Sequence, residues 1–239
     1  SLFTMPKKKL KTGKPVVHEE LEGFEMKVNE FGEIKSNMDV SKLSNLITKK
    51  TKAIVPVHLY GHAAPMEEIM AIAKKHNLFV IEDNAQAIGC DYSFSDGSKK
   101  KGGTIGHIGT TSFYPSKNLG AYGDGGAIFT DDDQLAVKLR MIANHGQSTR
   151  YYHEMVGCNS RLDTLQAAVL NIKLKKLDEY NVARRAVADF YDHCFSGHTK
   201  ITTPFRAAYS HHVFHQYTLL LDGVSRDGLT KFLAEKNIP

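Results

Sequence analysis

Cysteine is scarce in this sequence, since 239 residues contain only three, at Cys90, Cys158 and Cys194. An odd number cannot close into a full set of disulfides, and the closely spaced pairs that bind zinc are missing. The sequence therefore excludes a disulfide-stapled secreted domain and a zinc knuckle. Widely spaced, unpaired cysteines fit a reducing compartment, and we expect a cytoplasmic protein.

Long apolar runs are also missing. No segment approaches the roughly 20 apolar residues that cross a bilayer, so we expect no membrane association. The lysine cluster at residues 7–11 is not followed by an apolar core, which argues against a signal peptide. With 41% hydrophobic and 24% charged residues, the composition is ordinary for a globular protein. The length allows one large α/β domain and part of a second.

Positive charge is in modest excess, with a formal net charge of +5 and two dense basic runs, residues 7–11 and Lys99–Lys101. Neither run is interleaved with aromatic side chains, and the second lies beside two glycines, where we expect a loop tip. These features are typical of solvated surface charge, so no nucleic-acid binding is expected. A positive field near a crevice would suit a substrate that carries a diphosphate.

One lysine stands between an expected strand and a glycine-rich turn. Residues 110–114 favour a half-buried strand because four of the five are β-branched or aromatic, and Pro115 ends it. Glycines at positions 120, 123, 125 and 126 then allow a tight turn. A lysine shielded from water at this point, Lys117, can attack a carbonyl as a free amine. The alternative is an exposed lysine on a surface turn.

A second segment lies upstream, where residues 78–81 are apolar and predict a short buried strand. Glu82 and Asp83 fall at its carboxyl end, where open α/β sheets place their ligand crevice. A carboxylate there can hold a protonated pyridine nitrogen. The alternative is that Asp83 only caps the following turn.

The periodicity around these segments predicts alternating strands and helices. Residues 52–59 favour a strand buried on both faces, and Pro65 begins a helix that continues through Lys75. With the strand at residues 78–82, this makes a βαβ unit with parallel strands. A further strand at residues 126–130 is followed by an aspartate-capped helix over 134–143.

The C-terminal part is expected to begin with a long helical region. Ser160 and Asp163 resemble a capping box, and apolar residues 162, 165, 168, 169 and 172 lie on one side of the helix it opens. A second helical run ends by Phe195. Short alternating strands, notably residues 213–221, and a helix opened by Ser225 follow. The predicted division is an unassigned segment (1–26), a large domain (27–195) and the start of a smaller domain (196–239).

The histidines offer two possible metal sites. His58 and His62 have the i, i+4 spacing of two ligands on a helix, but the Tyr-Gly between them indicates a turn. His211, His212 and His215 are expected on a strand, where neighbours point to opposite faces. Because no carboxylate joins either group at a useful spacing, no metal is predicted.

Taken together, two motifs carry a resemblance to a known family. They are Asp-x-Ala-Gln-Ala at residues 83–87 and Ser-Phe-x-x-Ser-Lys-Asn-Leu-Gly at residues 112–120. The chain resembles the DegT/DnrJ/EryC1/StrS family of sugar aminotransferases, which use pyridoxal 5'-phosphate (PLP), from about Lys27 to Pro239. The resemblance implies the α/β fold type I of PLP-dependent transferases: a large domain with a mostly parallel, seven-stranded-type sheet flanked by helices, and part of a smaller α+β C-terminal domain. The family's N-terminal phosphate loop and stacking aromatic residue have no match here.

The resemblance also implies residue roles. Lys117 matches the catalytic lysine that binds the cofactor covalently, Asp83 the partner of its pyridine nitrogen, Gln86 a contact of its ring hydroxyl and Ser112 a phosphate ligand. Asn159 matches an asparagine that reaches the cofactor phosphate of the neighbouring subunit, which implies a homodimer with shared active sites. Residues expected to contact substrate are His58, Tyr114, Asn118, Arg161 and His215.

The activity implied by the resemblance is transamination of a nucleotide-linked keto-sugar, at C3 or C4, with glutamate or glutamine as the amino donor. The product would serve polysaccharide, lipopolysaccharide or related amino-sugar biosynthesis. The dehydratase branch of the family is disfavoured because it has histidine where this chain has Lys117. A family member with a non-sugar substrate, or a truncated non-catalytic copy, is the alternative.

Overall fold

The computed structural model describes residues 26–28, 34–36 and 40–238. Most of the predicted N-terminal segment 1–26, with its lysine cluster, lies outside the described residues. The strands are β1 (Met26–Val28), β2 (Ile34–Ser36), β3 (Ala53–Ile54), β4 (Phe79–Asp83), β5 (Asp91–Ser93), β6 (Lys99–Lys101), β7 (Ile108–Ser112), β8 (Gly126–Phe129), β9 (Gln147–Thr149), β10 (Tyr152–His153), β11 (Ile201–Thr202), β12 (Ser210–His211) and β13 (Leu220–Leu221). The helices are α1 (Val40–Leu46), α2 (Met66–His76), α3 (Asp133–Ala143), α4 (Thr164–Leu174), α5 (Leu177–Phe195) and α6 (Arg226–Glu235).

A four-stranded sheet with the order β3-β4-β7-β8 forms the centre of the described part. β3, β4 and β7 are parallel, and β8 returns antiparallel to β7. Helix α2 connects β3 to β4 and buries Met66, Ile69 and Ala73 in a core that includes Val80 of β4. The predicted βαβ unit is therefore confirmed, because an apolar helix face packs back onto the parallel strands it connects.

The long strand predicted over residues 52–59 is wrong. Only Ala53–Ile54 are a strand, and Val55 and Val57 are 59% and 47% exposed. Pro56 has no N–H and cannot donate to a ladder, but its carbonyl accepts a hydrogen bond from Asp83 N at 2.9 Å. The proline therefore interrupts the strand while keeping the chain alongside β4.

A three-stranded sheet with the order β12-β5-β6 lies beside the first core. Its strand β6 consists of Lys99–Lys101, all exposed, so this basic run is an edge strand rather than the predicted loop tip. Lysines on an edge strand hinder pairing with another chain. Strand β12 comes from the segment assigned to the smaller domain, and Val213 just after it is buried in the core of Val80.

Two helix caps agree with their predictions. Asp132 Oδ1 accepts hydrogen bonds from Gln134 N at 2.8 Å and Leu135 N at 3.0 Å, and this caps α3. Ser225 Oγ accepts one from Gly228 N at 3.1 Å and caps α6. Both caps satisfy backbone N–H groups that have no partner within the helix.

The capping box predicted at Ser160 and Asp163 is wrong. Helix α4 begins only at Thr164, and the side chain of Asp163 makes no cap hydrogen bond. The expected apolar side of the helix is also not buried in the described part, since Leu165 and Ile172 are 80% and 71% exposed while Leu170 is buried. Asn159 consequently lies five residues before the helix, in an extended bridge with Asn144.

The strand predicted over residues 213–221 is present only at Leu220–Leu221. Phe214 has a φ of +44°, a left-handed conformation that interrupts a regular strand. Its ring stacks on the ring of His212 with 3.9 Å between centroids, and this contact accompanies the sharp turn. His215 therefore lies in a turn. No helix in the described ranges is long and apolar enough to cross a bilayer.

Candidate active site

The carboxyl ends of β4 and β7 lie side by side. The two strands are parallel, and Asp83, the last residue of β4, is in register with Thr110 of β7. Strand β7 ends two residues later, at Ser112. The sheet thus places a carboxylate and a hydroxyl at the same edge, where α/β sheets bind their ligands.

Local hydrogen bonds orient these side chains. Asp83 Oδ1 accepts from Ala85 N at 3.0 Å, so the turn-capping alternative describes a real contact of this carboxylate. Gln86 Oε1 accepts from Tyr60 N at 2.6 Å, which fixes its amide with Nε2 as the remaining donor. Ser112 Oγ accepts from Tyr114 N at 3.2 Å. All three side chains are only half-buried.

The turn that carries Lys117 folds back beneath β7. Lys117 N donates to Tyr114 O at 2.9 Å, and Ala121 N donates to Phe113 O at 2.7 Å. A side chain at Gly120 would collide with the carbonyl of Pro115, so the predicted need for glycine is confirmed at this position. Lys117 itself is half-buried, between the exposed Tyr114 and Ser116 and the buried Asn118.

Lys117 and His215 line the same cavity, of about 750 Å³, between this turn and α5. Burial lowers the pKa of His215, and the positive charges of Lys117 and Arg184 lower it further. The imidazole is therefore neutral near pH 7. Its Nδ1 is buried and has no hydrogen-bond partner in the described part of the chain.

His58 and Asn118 are buried and bind other groups of the protein, and the substrate contacts expected for them stay predictions. His58 is fully buried, its Nε2 lies 2.8 Å from Glu82 Oε2, and its Nδ1 accepts from Ala64 N at 3.0 Å. Asn118 is 5% exposed and its Nδ2 donates to Asn181 Oδ1 and Val213 O. In the described part of the chain, Asn118 Oδ1 is buried without a hydrogen-bond partner.

Glu82 is a buried carboxylate whose partners the sequence did not reveal. Besides His58, it accepts hydrogen bonds from Gly103 N at 2.8 Å, Ile105 N at 2.6 Å and Gly106 N at 2.5 Å. Burial raises its pKa, but the hydrogen bonds from His58, Gly106 and Gly103 outweigh burial and hold the pKa below its usual value. Glu82 thereby ties the loop before β7 to the end of β4.

Asn159 and Arg161 are exposed and lie on a separate segment. Arg161 Nε donates to Asn159 Oδ1 at 3.0 Å, and Arg161 borders a second cavity beside β7 and β8. Among the described residues, no hydrogen bond joins Asn159 to Lys117, Asp83 or Ser112. Within one chain, no described hydrogen bond therefore links Asn159 to the Lys117 turn.

The histidine pairs bind protein groups. His62 Nε2 accepts from Ala207 N at 3.2 Å, and His212 Nδ1 accepts from Phe214 N at 3.0 Å. Within the described ranges, no cluster of three or more histidine, cysteine or acidic side chains could hold a metal ion.

The sequence analysis missed two polar residues of α5 that bind segments of the candidate site. Asn181 contacts Asn118, and Arg184 donates to the carbonyls of Phe214 and His215. The sequence contains a pattern that could have indicated them. Positions 177, 181, 184 and 188 have the spacing of one helix face, and the two middle positions of that face are polar.

Comparison with known proteins relates most of this chain to one family of aminotransferases. The profile of the DegT/DnrJ/EryC1/StrS aminotransferase family matches residues 29–239. The "Pleiotropic regulatory protein" of Geobacillus stearothermophilus is 48% identical over 204 residues, 84% of this chain and 53% of that protein. The "UDP-2-acetamido-2-deoxy-3-oxo-D-glucuronate aminotransferase" of Pseudomonas aeruginosa is 45% identical over 203 residues, 85% of this chain and 54% of that protein.

A solved structure extends the likeness to three dimensions. The crystal structure of S. venezuelae DesV, in complex with a ketimine intermediate, superposes with a TM-score of 0.78 at 42% identity and covers 84% of this chain. The match covers 52% of that structure, so the chain spans about half the length of the relatives it matches. The predicted fold class, fold type I of the PLP-dependent transferases, is confirmed. The chain belongs to the DegT/DnrJ/EryC1/StrS aminotransferase family.

Proposed function

We propose that this chain carries most of the active site of a PLP-dependent aminotransferase that converts a keto group of a nucleotide-linked sugar into an amine. One observation supports this most directly. The carboxylate of Asp83 and the hydroxyl of Ser112 end two neighbouring parallel strands, and the amine of Lys117 follows on the next turn.

The donor set fits PLP chemically. An amine can bind an aldehyde covalently, a carboxylate can pair with a pyridinium nitrogen, and hydroxyl and amide donors suit a phosphate and a ring hydroxyl. Lys117, Asp83, Ser112 and the Nε2 group of Gln86 are assigned to these contacts in that order. His215 lines the same cavity as Lys117, so its imidazole adds a further polar group beside that amine. When bound, PLP supplies an electron sink for the charge that develops on the substrate carbon.

Each residue then has a defined task. With PLP bound, the amine of Lys117 would be freed when the donor amine takes its place, and it would then remove the proton from the α-carbon of the donor as a general base. In the half-reaction with the keto-sugar it would deliver a proton to the sugar carbon as a general acid. Asp83 keeps a proton on the pyridine nitrogen by charge complementarity. His215, neutral because its pKa is lowered, accepts a hydrogen bond from a substrate hydroxyl.

The names of two relatives favour a 3-keto-sugar. The P. aeruginosa protein is named for a UDP-linked 3-oxo-glucuronate, and a relative from Acidithiobacillus ferrooxidans, 45% identical over 201 residues, is named "UDP-N-acetyl-3-dehydro-alpha-D-glucosamine 3-aminotranferase". We assign the same substrate class to this chain, with glutamate or glutamine as donor and a role in amino-sugar biosynthesis for polysaccharides. These names favour this function over a non-sugar substrate.

The same proposal includes a homodimer in which Asn159 serves the partner's site, and the exposure of Asn159 supports this part of the proposal. The proposed domain division places the large domain at residues 27–195 and the smaller domain from residue 196, and the end of α5 at Phe195 supports this boundary. The proposal also keeps a cytoplasmic location, supported by the three free cysteines.

A substrate panel tests this function. Purified protein loaded with PLP is incubated with glutamate and either a UDP-linked 3-keto-sugar or its 4-keto isomer, and the products are separated by mass. We expect an amino-sugar from the 3-keto compound, with Lys117→Ala as the inactive control. Amination of only the 4-keto isomer would refute the substrate position, and no product from either sugar would refute the proposed activity.

A further inference from the structure

Helix α5 presents a buried face with polar residues at its centre. Leu177, Asn181, Arg184 and Ala188 follow the helical repeat, and Leu177, Asn181 and Ala188 are 7%, 2% and 1% exposed. Apolar residues at both ends of this face are what packing requires. A buried amide between them is costly unless both its donor and its acceptor are satisfied.

Asn181 is satisfied by two different segments of the site. Its Oδ1 accepts from Asn118 Nδ2 at 2.8 Å, next to Lys117. Its Nδ2 donates to the carbonyl of Ile88 at 3.2 Å, in the turn that follows Asp83 and Gln86. The adjacent Gly89 has a φ of +84°, and a Cβ there would lie 2.5 Å from Asn181 Nδ2. The backbone approaches this amide as closely as only glycine permits.

A third segment joins through Asn118. The same Nδ2 that donates to Asn181 also donates to Val213 O at 3.0 Å, two residues before His215. One turn further along α5, Arg184 donates to Phe214 O at 3.0 Å and to His215 O at 3.4 Å. The three segments that carry Gln86, Lys117 and His215 are distant in sequence, and this hydrogen-bonded chain connects all of them.

We propose that Asn181 is a positioning residue for the aminotransferase reaction: it fixes the Lys117 turn relative to the Asp83–Gln86 turn and the His215 turn. This rests on the proposed function. Asn181 does not reach the reacting atoms itself, because it lies beneath Asn118 and is buried. Small errors in the position of a catalytic group lower the rate steeply, by about 100-fold for a displacement of 1 Å. The expected effect of its loss is therefore on kcat.

Asn181→Leu removes both hydrogen bonds while keeping the number and branching of the side-chain heavy atoms. Met141→Ala is the matched control, because Met141 is 9% exposed on α3 and its truncation destabilises the fold without touching the chain of contacts. Hydrogen–deuterium exchange of the cofactor-free protein is followed in peptides over residues 84–89, 113–121 and 212–216. We expect faster exchange in all three peptides for Asn181→Leu, and unchanged exchange there for Met141→Ala.

Kinetics give a second readout. In the loaded enzyme we expect Asn181→Leu to lower kcat by about 100-fold with little change in the KM for the amino donor, whereas Met141→Ala keeps kcat. Exchange in the three peptides that matches the wild type, or that rises equally in Met141→Ala, would overturn the proposal. A wild type that lacks transaminase activity would overturn the proposed function instead, and the exchange comparison would still decide the structural role.

Asn181→Asp keeps the test decisive if the leucine variant does not fold. A protonated aspartic acid can accept from Asn118 and donate to Ile88 O, but the ionised form places a charge against that carbonyl. Burial favours the protonated form. Relative to wild type at the same pH, we expect protection of the three peptides to be near normal at low pH and lost as the pH rises. Protection that does not change with pH relative to wild type would contradict the proposed contacts.

Discussion

Replacing Glu82 by glutamine should destabilise this protein strongly although the change is nearly isosteric. Glu82 is 0% exposed, and its two oxygens accept four hydrogen bonds, two at Oε1 from Ile105 N and Gly106 N and two at Oε2 from Gly103 N and His58 Nε2. His58 Nε2 carries the hydrogen, because Nδ1 accepts from Ala64 N. A glutamine amide can accept only through its one oxygen.

Either orientation of the new amide leaves its NH2 group facing two buried donors. Hydrogen bonds to a charged group contribute about 1.5–3 kcal/mol each, so the loss of two amounts to about 3–6 kcal/mol. The free energy of unfolding of a native protein is only about 5–15 kcal/mol in total. We therefore expect Glu82→Gln to remove about a fifth or more of the free energy of unfolding.

Urea unfolding at pH 7 measures this loss. Glu179→Gln is the control, because Glu179 is an exposed partner of Lys176 and its change should stay within about 0.5 kcal/mol. The pH dependence provides a second measurement. The pKa of Glu82 is lower in the folded than in the unfolded state, so its contribution is complete above the usual glutamate pKa and is lost as the pH falls toward the folded value.

Glu82→Gln should therefore lose less stability than wild type when the pH is lowered through this window. A loss below about 1 kcal/mol at pH 7 would refute the reasoning, since it would mean that the four hydrogen bonds are not made or that the cavity relaxes around the amide. An acid dependence identical to wild type would refute the assigned pKa direction.

Four further outcomes are expected. Borohydride reduction and peptide mapping should place the pyridoxyl adduct on Lys117, and an adduct on another lysine would contradict its role. Asp83→Asn should still bind PLP covalently but slow the amino-donor half-reaction by about 100-fold or more, and near-normal turnover would make Asp83 a turn cap only. Mixing inactive Lys117→Ala and Asn159→Ala proteins should restore activity, because a mixed dimer with shared sites has one site in which both residues are intact. If each chain formed its own site, the mixture would stay inactive. Burial, aided by His62 and Arg206, lowers the pKa of His212 to about 3, so wild type should lose about 2 kcal/mol between pH 7 and pH 5 that His212→Gln does not lose.

The features predicted correctly are those that depend on a few consecutive residues. The caps at Asp132 and Ser225 need only a side-chain oxygen and the N–H groups two or three residues ahead. The turn after Lys117 needs a glycine where the backbone approaches Pro115. The βαβ unit needs one apolar helix face between two short apolar runs. Motif order and spacing likewise identified the family without reference to the fold.

The errors have a common origin in partners that are distant in sequence. A valine pattern at residues 52–59 indicates a strand, but pairing depends on whether each residue can donate to β4, and Pro56 cannot. Ser160 and Asp163 have capping side chains, yet the chain at Asn159 pairs with Asn144 and delays the helix to Thr164. Phe214 adopts a left-handed turn where its ring stacks on His212, which alternation along residues 213–221 did not predict.

The sequence by itself therefore determined the family and the α/β class, and it supplied the residues proposed for the site: Lys117, Asp83, Gln86 and Ser112. Only the tertiary structure decided which polar residues are buried and what satisfies them. It buried Glu82 while leaving its neighbour Asp83 half-buried. It also buried His58 and Asn118 and placed Asn181 in contact with Asn118, next to Lys117. The physical reason is that a buried polar group is defined by partners it meets across the fold, and their distance along the chain leaves no local pattern.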